Sequence, residues 1–205
     1  MTSHAVFTVQ AVALFFVVAH AAVRLGGKVR AVRRAPRGRV VEPAIFRRMV
    51  GAYFILVMLA SAEGMVASRA THARIAWAGL GLIVFSAVIQ WKAFRDLGSA
   101  YSPDIEVRPM QALVHRGLYG WVRHPLLSAL ILEVGGLCVC FGAWLTLVLV
   151  AIVFVPLVNH RRRAEEAVLL EHFGAAYRVY QERVGALIPR FRWPSNPALT
   201  KEIVS

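Results

Sequence analysis

The chain has 205 residues, of which 58% are hydrophobic, and a formal net charge of +13. Its mean hydropathy is +0.58, and its apolar residues are gathered in long blocks, which excludes an ordinary soluble domain and predicts an integral membrane protein. The arginines lie between these blocks, where positive charge orients membrane helices and meets anionic lipid. Membrane lipids are therefore expected partners, and nucleic acid is not.

Three apolar runs in the first half of the chain predict membrane-spanning helices. Residues 5–23, 49–66 and 75–94 each come close to the roughly 20 residues that cross a bilayer. A loop rich in arginine separates the first two runs and is expected to be cytoplasmic. Residues 1–94 are therefore predicted to form an N-terminal unit of three helices.

Two further apolar runs, residues 126–141 and 143–158, are separated only by Gly142 and predict a tight hairpin that barely crosses the membrane. Glu133 lies about two turns into the first run, where a lipid-exposed carboxylate would be costly. Its side chain is therefore expected to face protein or a cavity. Cys138 and Cys140 are interpreted as packing residues, so neither a disulfide nor a metal site is expected.

After the hairpin, apolar residues spaced by three and four predict an amphipathic helix over residues 161–184, outside the bilayer. Every lysine and arginine except Arg69 and Arg74 falls in segments on one side of this arrangement. The charge bias predicts an all-α fold with about five spans, the N-terminus outside and the C-terminus in the cytoplasm. The short loops and the many alanines and arginines indicate a bacterial inner membrane, and residues 193–205 are interpreted as a tail.

The segment before the hairpin, residues 95–124, is too polar to span a membrane and ends in the sequence GLYGWVRHP. Pro125 disfavours helix at His124 and suits the first turn of the following helix. Amide groups and the positive end of a helix dipole would then lie beside Arg123 and His124. The turn is interpreted either as an anion site or as a pair of basic anchors that reach lipid headgroups.

The predicted C-terminal helix carries a second polar group. Arg161 and Glu165 lie four residues apart and share a face, whereas Glu166 points about 100 degrees away. Such a run is also typical of a solvated helix start with local ion pairs. Together with an anion site at His124 and Pro125, the two carboxylates would complement a small zwitterion with additional positive charge, and S-adenosylmethionine is such a molecule.

The same residues carry a resemblance to a known family. Over about residues 91–192, the chain resembles the isoprenylcysteine carboxyl methyltransferase family and its phospholipid methyltransferase relatives. The residues that match, in chain order, are Leu113, Val114, Gly117, Tyr119, Arg123, His124, Pro125, Glu165, Glu166, Phe173, Gly174, Tyr177, Tyr180 and Arg183. The resemblance implies a membrane methyltransferase that binds S-adenosylmethionine in a cytoplasmic pocket and receives its acceptor from the bilayer. Residues 95–192 would then be the cofactor-binding and catalytic region.

The resemblance also implies roles for individual residues. The implied cofactor contacts are Gln111, Ala112, Leu113, Val114, Tyr119, His124, Pro125, Leu126, Leu127 and Glu165. Arg161 would face the acceptor and form the catalytic pair with Glu165. We hypothesise that Glu165 holds the cationic part of the cofactor and that His124, with the helix start, holds its carboxylate. Many family members have tyrosine where this chain has Leu127, which leaves the type of acceptor open.

Two other functions fit parts of the sequence. Membrane sterol reductases have a similar Arg-His-Pro element and use NADPH, but the asparagine and tyrosine that follow it there are missing here, and two glutamates would repel nucleotide phosphates. A non-enzymatic membrane scaffold would bind no cofactor. For a methyltransferase, the acceptor group could be a carboxylate, an amine or a thiol on a lipophilic or lipid-anchored molecule.

Overall fold

The computed structural model describes residues 3–34, 43–67, 73–98, 105 and 112–190. Apart from isolated β-type bridges, such as that between Val122 and Gly185, the regular secondary structure in these ranges is helical. The predicted all-α class is therefore confirmed. Gln111 and the predicted tail lie outside the described residues.

Three long helices open the chain and contain the three predicted spans. They are α1 (Ser3–Arg34), α2 (Pro43–Ala67) and α3 (Ala73–Leu97). Each extends beyond its apolar run because the flanking alanines and arginines also favour helix. α1 continues for about three turns past residue 23, so the helix takes up part of the segment that was expected to be a loop.

The predicted hairpin is confirmed. α4 (Pro125–Phe141) ends at Gly142, and α5 (Trp144–Leu149) begins two residues later. Gly142 has a φ of 67°, in the left-handed region that glycine adopts without a steric cost. The turn between the two helices therefore depends on glycine at this position.

Glu63 near the end of α2 holds this turn in place. Its carboxylate accepts hydrogen bonds from the backbone N–H groups of Leu145 and Thr146, both at 2.9 Å, and from Oγ1 of Thr146 at 2.7 Å. A negative charge at a helix N-terminus is stabilised by the unpaired amides and the helix dipole. Glu63 is thus a helix cap for α5.

The fifth apolar run continues as helix far beyond residue 158. α5 passes through a π-helical turn, Val150–Phe154, into α6 (Val155–Phe173), and together they form one helical rod. The wider turn precedes Pro156, which has no N–H to donate and whose ring crowds the carbonyl one turn earlier. The predicted single helix over residues 161–184 is therefore corrected. The chain breaks at Gly174 and resumes as α7 (Ala175–Arg183).

α3 and α4 form the most extensive helix pair of the described structure. A Cβ added at Gly136 would lie 2.9 Å from Cβ of Leu82 and 3.1 Å from the carbonyl oxygen of Gly79, and a Cβ at Gly79 would collide with the backbone of Cys140. Small residues allow membrane helices to approach this closely. The contacts join the beginning of α3 to the end of α4, so the end of α3 lies toward the start of α4.

Glu133 is completely buried within the helical bundle. Its carboxylate accepts hydrogen bonds from the hydroxyl of Tyr53 on α2 at 3.0 Å and from Nε2 of Gln90 on α3 at 2.8 Å. Nδ1 of His20 on α1 lies 3.5 Å from the same carboxylate. The prediction that Glu133 faces protein is confirmed, and its polar contacts connect four helices.

By length and composition, four helical segments among the described residues can cross a membrane: α1, α2, α3 and the rod Trp144–Phe173. α4 is also apolar but has only 17 residues. At 1.5 Å per residue it is about 25 Å long, somewhat short of a 30 Å hydrocarbon core. The chain is an integral membrane protein, and α4 is long enough to reach most of the way across a bilayer.

Candidate active site

The site begins with a short turn that is anchored to the end of α3. A 3-10 turn spans Gly117–Gly120, and the backbone N–H of Leu118 donates a hydrogen bond to Oδ2 of Asp96 at 2.8 Å. Gly117 has a φ of 61°, and a Cβ there would collide with the carboxylate of Asp96. Asp96 therefore fixes the turn, and Tyr119 within the turn is buried.

The next residues pair with the chain that follows α7. The backbone N–H of Arg123 donates to the carbonyl of Gly185 at 2.8 Å, and that of His124 donates to the carbonyl of Ala186 at 3.0 Å. Oγ of Ser128, in the first turn of α4, donates to the carbonyl of Leu187 at 2.7 Å. Residues 185–187, which we call the C-terminal segment, are thereby held across the start of α4.

The start of α4 has the predicted geometry. His124 leaves the helical region, with φ −125° and ψ 61°, and Pro125 occupies the first turn. The carbonyl of His124 accepts hydrogen bonds from the N–H groups of Leu127 and Ser128, both at 3.1 Å. The side chains of Arg123 and His124 are buried, so the interpretation of these residues as anchors for lipid headgroups is wrong.

Glu166 on α6 is the centre of the buried polar cluster. Its Oε1 accepts hydrogen bonds from Nε and Nη2 of Arg123, at 3.1 and 2.8 Å, and lies 3.1 Å from Nε2 of His124. Its Oε2 accepts from Nη1 of Arg162 at 2.7 Å and from Nε2 of Gln181 at 3.4 Å. Both oxygens are occupied by protein donors, so Glu166 serves to organise the site.

Arg123 uses its guanidinium to join three parts of the fold. In addition to its two bonds to Glu166, it donates from Nη1 to the carbonyl of Gln181 at 2.9 Å and to the carbonyl of Val184. These carbonyls belong to the end of α7, where a positive charge is favourable for the helix dipole. Arg123 therefore uses its donors to connect parts of the fold. Of the predicted anion site, His124 and the start of α4 remain as candidates to contact a ligand.

Glu165 differs from its neighbour in both exposure and contacts. Its side chain is 35% exposed, and Oε2 lies 3.9 Å from Nδ1 of His124, beyond hydrogen-bonding distance. The structure thus brings together three of the residues that the sequence indicated: His124, Pro125 and Glu165. Of the two adjacent carboxylates, Glu165 is the one that can reach a ligand.

Other predicted site residues occupy different surroundings. Arg161 is buried, with its guanidinium carbon 5.7 Å from the ring centroid of Phe46 on α2. Leu127 packs into the apolar core of the bundle, whereas Leu126 is half-buried. Three predicted cofactor contacts that precede the 3-10 turn lie within the described residues. Ala112 is exposed, and Leu113 and Val114 are half-buried.

Two tyrosines of α7 complete the buried cluster and were not assigned a role from the sequence. The hydroxyl of Tyr180 donates to the carbonyl of Tyr119 at 2.5 Å. The hydroxyl of Tyr177 is buried and makes no hydrogen bond with the described residues. Burial raises the pKa of both groups, and the nearby charge of Glu166 adds to the effect. Both hydroxyls therefore stay protonated and can act as hydrogen-bond donors.

The sequence contained only weak signals for Glu166, Arg162 and the tyrosines. Arg162 and Glu166 are four residues apart, which indicates a local ion pair, and the hydrogen bonds confirm that pair. The pairing of Glu166 with Arg123, 43 residues earlier in the chain, has no counterpart in the sequence pattern. The break at Gly174 adds the contacts of Arg123 with the carbonyls of Gln181 and Val184, because it brings α7 back toward the start of α4.

A family of known proteins matches much of the chain that forms this site. Residues 79–171 match the model of the isoprenylcysteine carboxyl methyltransferase (ICMT) family, and the matched range includes α4, His124, Glu165 and Glu166. The match supports the resemblance found in the sequence: this region is similar to a family of membrane methyltransferases. The chain is also similar to the uncharacterized protein YpbQ of Bacillus subtilis, with 31% identity over 97 residues. That alignment covers 47% of this chain and 58% of the relative, so the chain spans less than two thirds of the relative's length.

Proposed function

We propose that this protein is an S-adenosylmethionine-dependent methyltransferase that modifies a lipophilic, membrane-borne acceptor at the cytoplasmic face. The observation that carries the proposal is the difference between two adjacent glutamates beside His124. Glu166 is paired with the buried Arg123 and the part-buried Arg162, whereas Glu165 is part-exposed beside the start of α4. One open carboxylate next to a helix N-terminus matches a ligand that carries both a cation and a carboxylate.

The surroundings of this site also fit the cofactor. The buried hydroxyl of Tyr177 lacks a hydrogen-bond partner among the described residues, and its pKa is raised by burial first and then by the charge of Glu166. A buried hydroxyl without a partner is costly unless a ligand or water completes it. A polar ligand between α4 and α7 would supply that partner.

Each residue then has a defined task. When bound, the cofactor supplies a methyl group on a sulfonium that is already a good leaving group, so the protein has to bind and orient the reactants. Glu165 holds the cationic part of the ligand, and the positive end of the α4 helix dipole attracts its carboxylate. Arg161, beside Phe46 of α2, orients the acceptor as it enters from the bilayer.

Ligand binding tests this proposal directly. The purified protein in nanodiscs should bind S-adenosylhomocysteine in isothermal titration calorimetry, and Glu165→Gln should weaken the affinity about tenfold because a charged hydrogen bond is lost. The matched control is Glu182→Gln on α7, an exposed glutamate, which should leave the affinity unchanged. Equal affinity for S-adenosylhomocysteine in the wild type and Glu165→Gln would contradict the assignment.

NADPH is the informative competing ligand. The arginines of the buried cluster are paired with Glu166, and Glu165 adds a further negative charge. A dinucleotide phosphate would therefore be repelled from the site. Thermal shifts measured with both ligands should show stabilisation by S-adenosylhomocysteine alone. Stabilisation by NADPH would favour the reductase alternative, and stabilisation by neither would favour the scaffold.

A further inference from the structure

The contact between His124 and Glu166 fixes the orientation of the imidazole ring. Nε2 of His124 lies 3.1 Å from Oε1 of Glu166, and the histidine side chain is only 5% exposed. Glu166 is itself held by Arg123 and Arg162. Because an ionised carboxylate can only accept a hydrogen bond, the hydrogen of the neutral ring lies on Nε2.

The other ring nitrogen then carries the free lone pair. Nδ1 of His124 is 3.9 Å from Oε2 of Glu165, too far for a hydrogen bond, on the side where Glu165 is part-exposed. A carboxylate that orients an imidazole so that its second nitrogen accepts a proton is the arrangement found in hydrolytic triads. Glu166 orients His124 in a comparable way with the two ring nitrogens exchanged, because the triad carboxylate binds Nδ1 whereas Glu166 lies beside Nε2.

We propose that His124 is the general base of the methyl transfer, and that the acceptor atom carries a proton at neutral pH, as an un-ionised hydroxyl does. The inference rests on the proposed function and narrows its acceptor. It also changes the predicted role of His124, because a lone pair at Nδ1 does not hold the cofactor's carboxylate. That task stays with the start of α4.

The transfer balances for a hydroxyl acceptor. The O–H bond breaks, and its proton moves to Nδ1 of His124 while the electron pair stays on oxygen. The oxygen forms a new bond to the methyl carbon as the bond from that carbon to sulfur breaks, with its electron pair going to sulfur. The imidazolium that results lies between Glu165 and Glu166, whose charges stabilise it.

A carboxylate acceptor would leave this base without a task. Carboxylic acids ionise near pH 4, so a carboxylate reaches the site already deprotonated and can attack the methyl group directly. A hydroxyl is a poor nucleophile until its proton is removed, and general base catalysis contributes about 10²–10⁴-fold. The oriented imidazole therefore favours an acceptor that forms an ether over one that forms an ester.

Substitution of His124 separates the base role from a role in cofactor binding. Membranes that contain His124→Asn should transfer labelled methyl to the endogenous acceptor at least 100-fold more slowly than the wild type. The purified variant should bind S-adenosylhomocysteine within about threefold of the wild-type affinity. The matched control is His172→Asn, an exposed histidine on α6, which should change neither quantity. Near-normal transfer by His124→Asn, or loss of its binding of S-adenosylhomocysteine, would overturn the proposal.

The stability of the labelled product tests the acceptor class. Membranes incubated with S-adenosylmethionine labelled in the methyl group should yield a lipophilic product that keeps its label in mild alkali, because ethers resist hydrolysis. Release of the label as methanol would identify a methyl ester and overturn the inference, while the methyltransferase assignment would stand. A wild-type protein that neither binds S-adenosylhomocysteine nor transfers label would instead contradict the proposed function.

Discussion

Nη2 of Arg123 lies 2.8 Å from Oε1 of Glu166, and both side chains are about nine-tenths buried. The pair joins the residue before His124 to the helical rod, and the remaining donors of Arg123 cap the end of α7. The side chain of Arg123 therefore connects the start of α4, the middle of α6 and the end of α7.

We expect Arg123→Lys to destabilise the protein strongly. A lysine cannot make the fork of bonds to Glu166 and also reach the carbonyls of α7. The carbonyls of Gln181 and Val184 would lose their donor, at about 1–3 kcal/mol for each buried group left unsatisfied. Thermal unfolding in detergent should show a clearly lower midpoint, and Arg178→Lys, an exposed position on α7, is the control. An unchanged midpoint for Arg123→Lys would show that the cluster does not hold α7.

The close approach of α3 and α4 gives a second prediction. Gly79→Ala should destabilise the bundle by about 1–3 kcal/mol because the new methyl group collides with the backbone of Cys140. Gly81→Ala is a matched control on the same helix, where an added Cβ meets nothing within 4 Å. Because alanine has a higher helix propensity than glycine, Gly81→Ala should be neutral or slightly stabilising. Equal unfolding midpoints for the two variants would contradict the observed packing.

The polar contacts of Glu133 lead to a third prediction. Glu133→Leu would leave the hydroxyl of Tyr53 and the amide of Gln90 buried without their acceptor, at about 1–3 kcal/mol for each group. Adding Tyr53→Phe and Gln90→Leu to Glu133→Leu should recover part of this loss because the unsatisfied donors are removed. Unfolding midpoints of the single and triple variants test the idea. A triple variant less stable than Glu133→Leu would count against it.

Hydropathy and charge predicted most of the fold because they are local properties of the sequence. The apolar runs, the glycine turn and the burial of Glu133 all follow from the cost of polar groups in hydrocarbon. The extension of the rod to Phe173 was not predicted. An apolar run marks only the part of a helix inside the bilayer, whereas residues of high helix propensity continue the helix beyond it.

The site was predictable only where one short segment determines it. Pro125 sets the conformation of His124, and this could be predicted from the order of the two residues. The choice between Glu165 and Glu166 depends on which face of α6 meets Arg123, and helical spacing gives the angle between two side chains without showing what each one faces. The position of the C-terminal segment across the start of α4 also depends on contacts between residues that are distant in the sequence.

Gly174 provides the last prediction. It separates α6 from α7 with φ 55° and ψ −124°, a conformation that is essentially restricted to glycine. A Cβ at Gly174 would meet nothing within 4 Å, so any effect of Gly174→Ala comes from the backbone and not from a steric clash. We expect a cost of about 1–3 kcal/mol in stability. The affinity for S-adenosylhomocysteine should also fall, because α7 would no longer bring Tyr177 and Gln181 beside Glu166.

Gly135→Ala in α4, where the nearest side-chain atom would be 3.9 Å away, is the control for glycine replacement and should affect neither stability nor binding. Normal binding by Gly174→Ala would show that the turn between α6 and α7 tolerates another backbone conformation, and that the contacts of α7 with Arg123, Glu166 and Tyr119 are enough to fix its position.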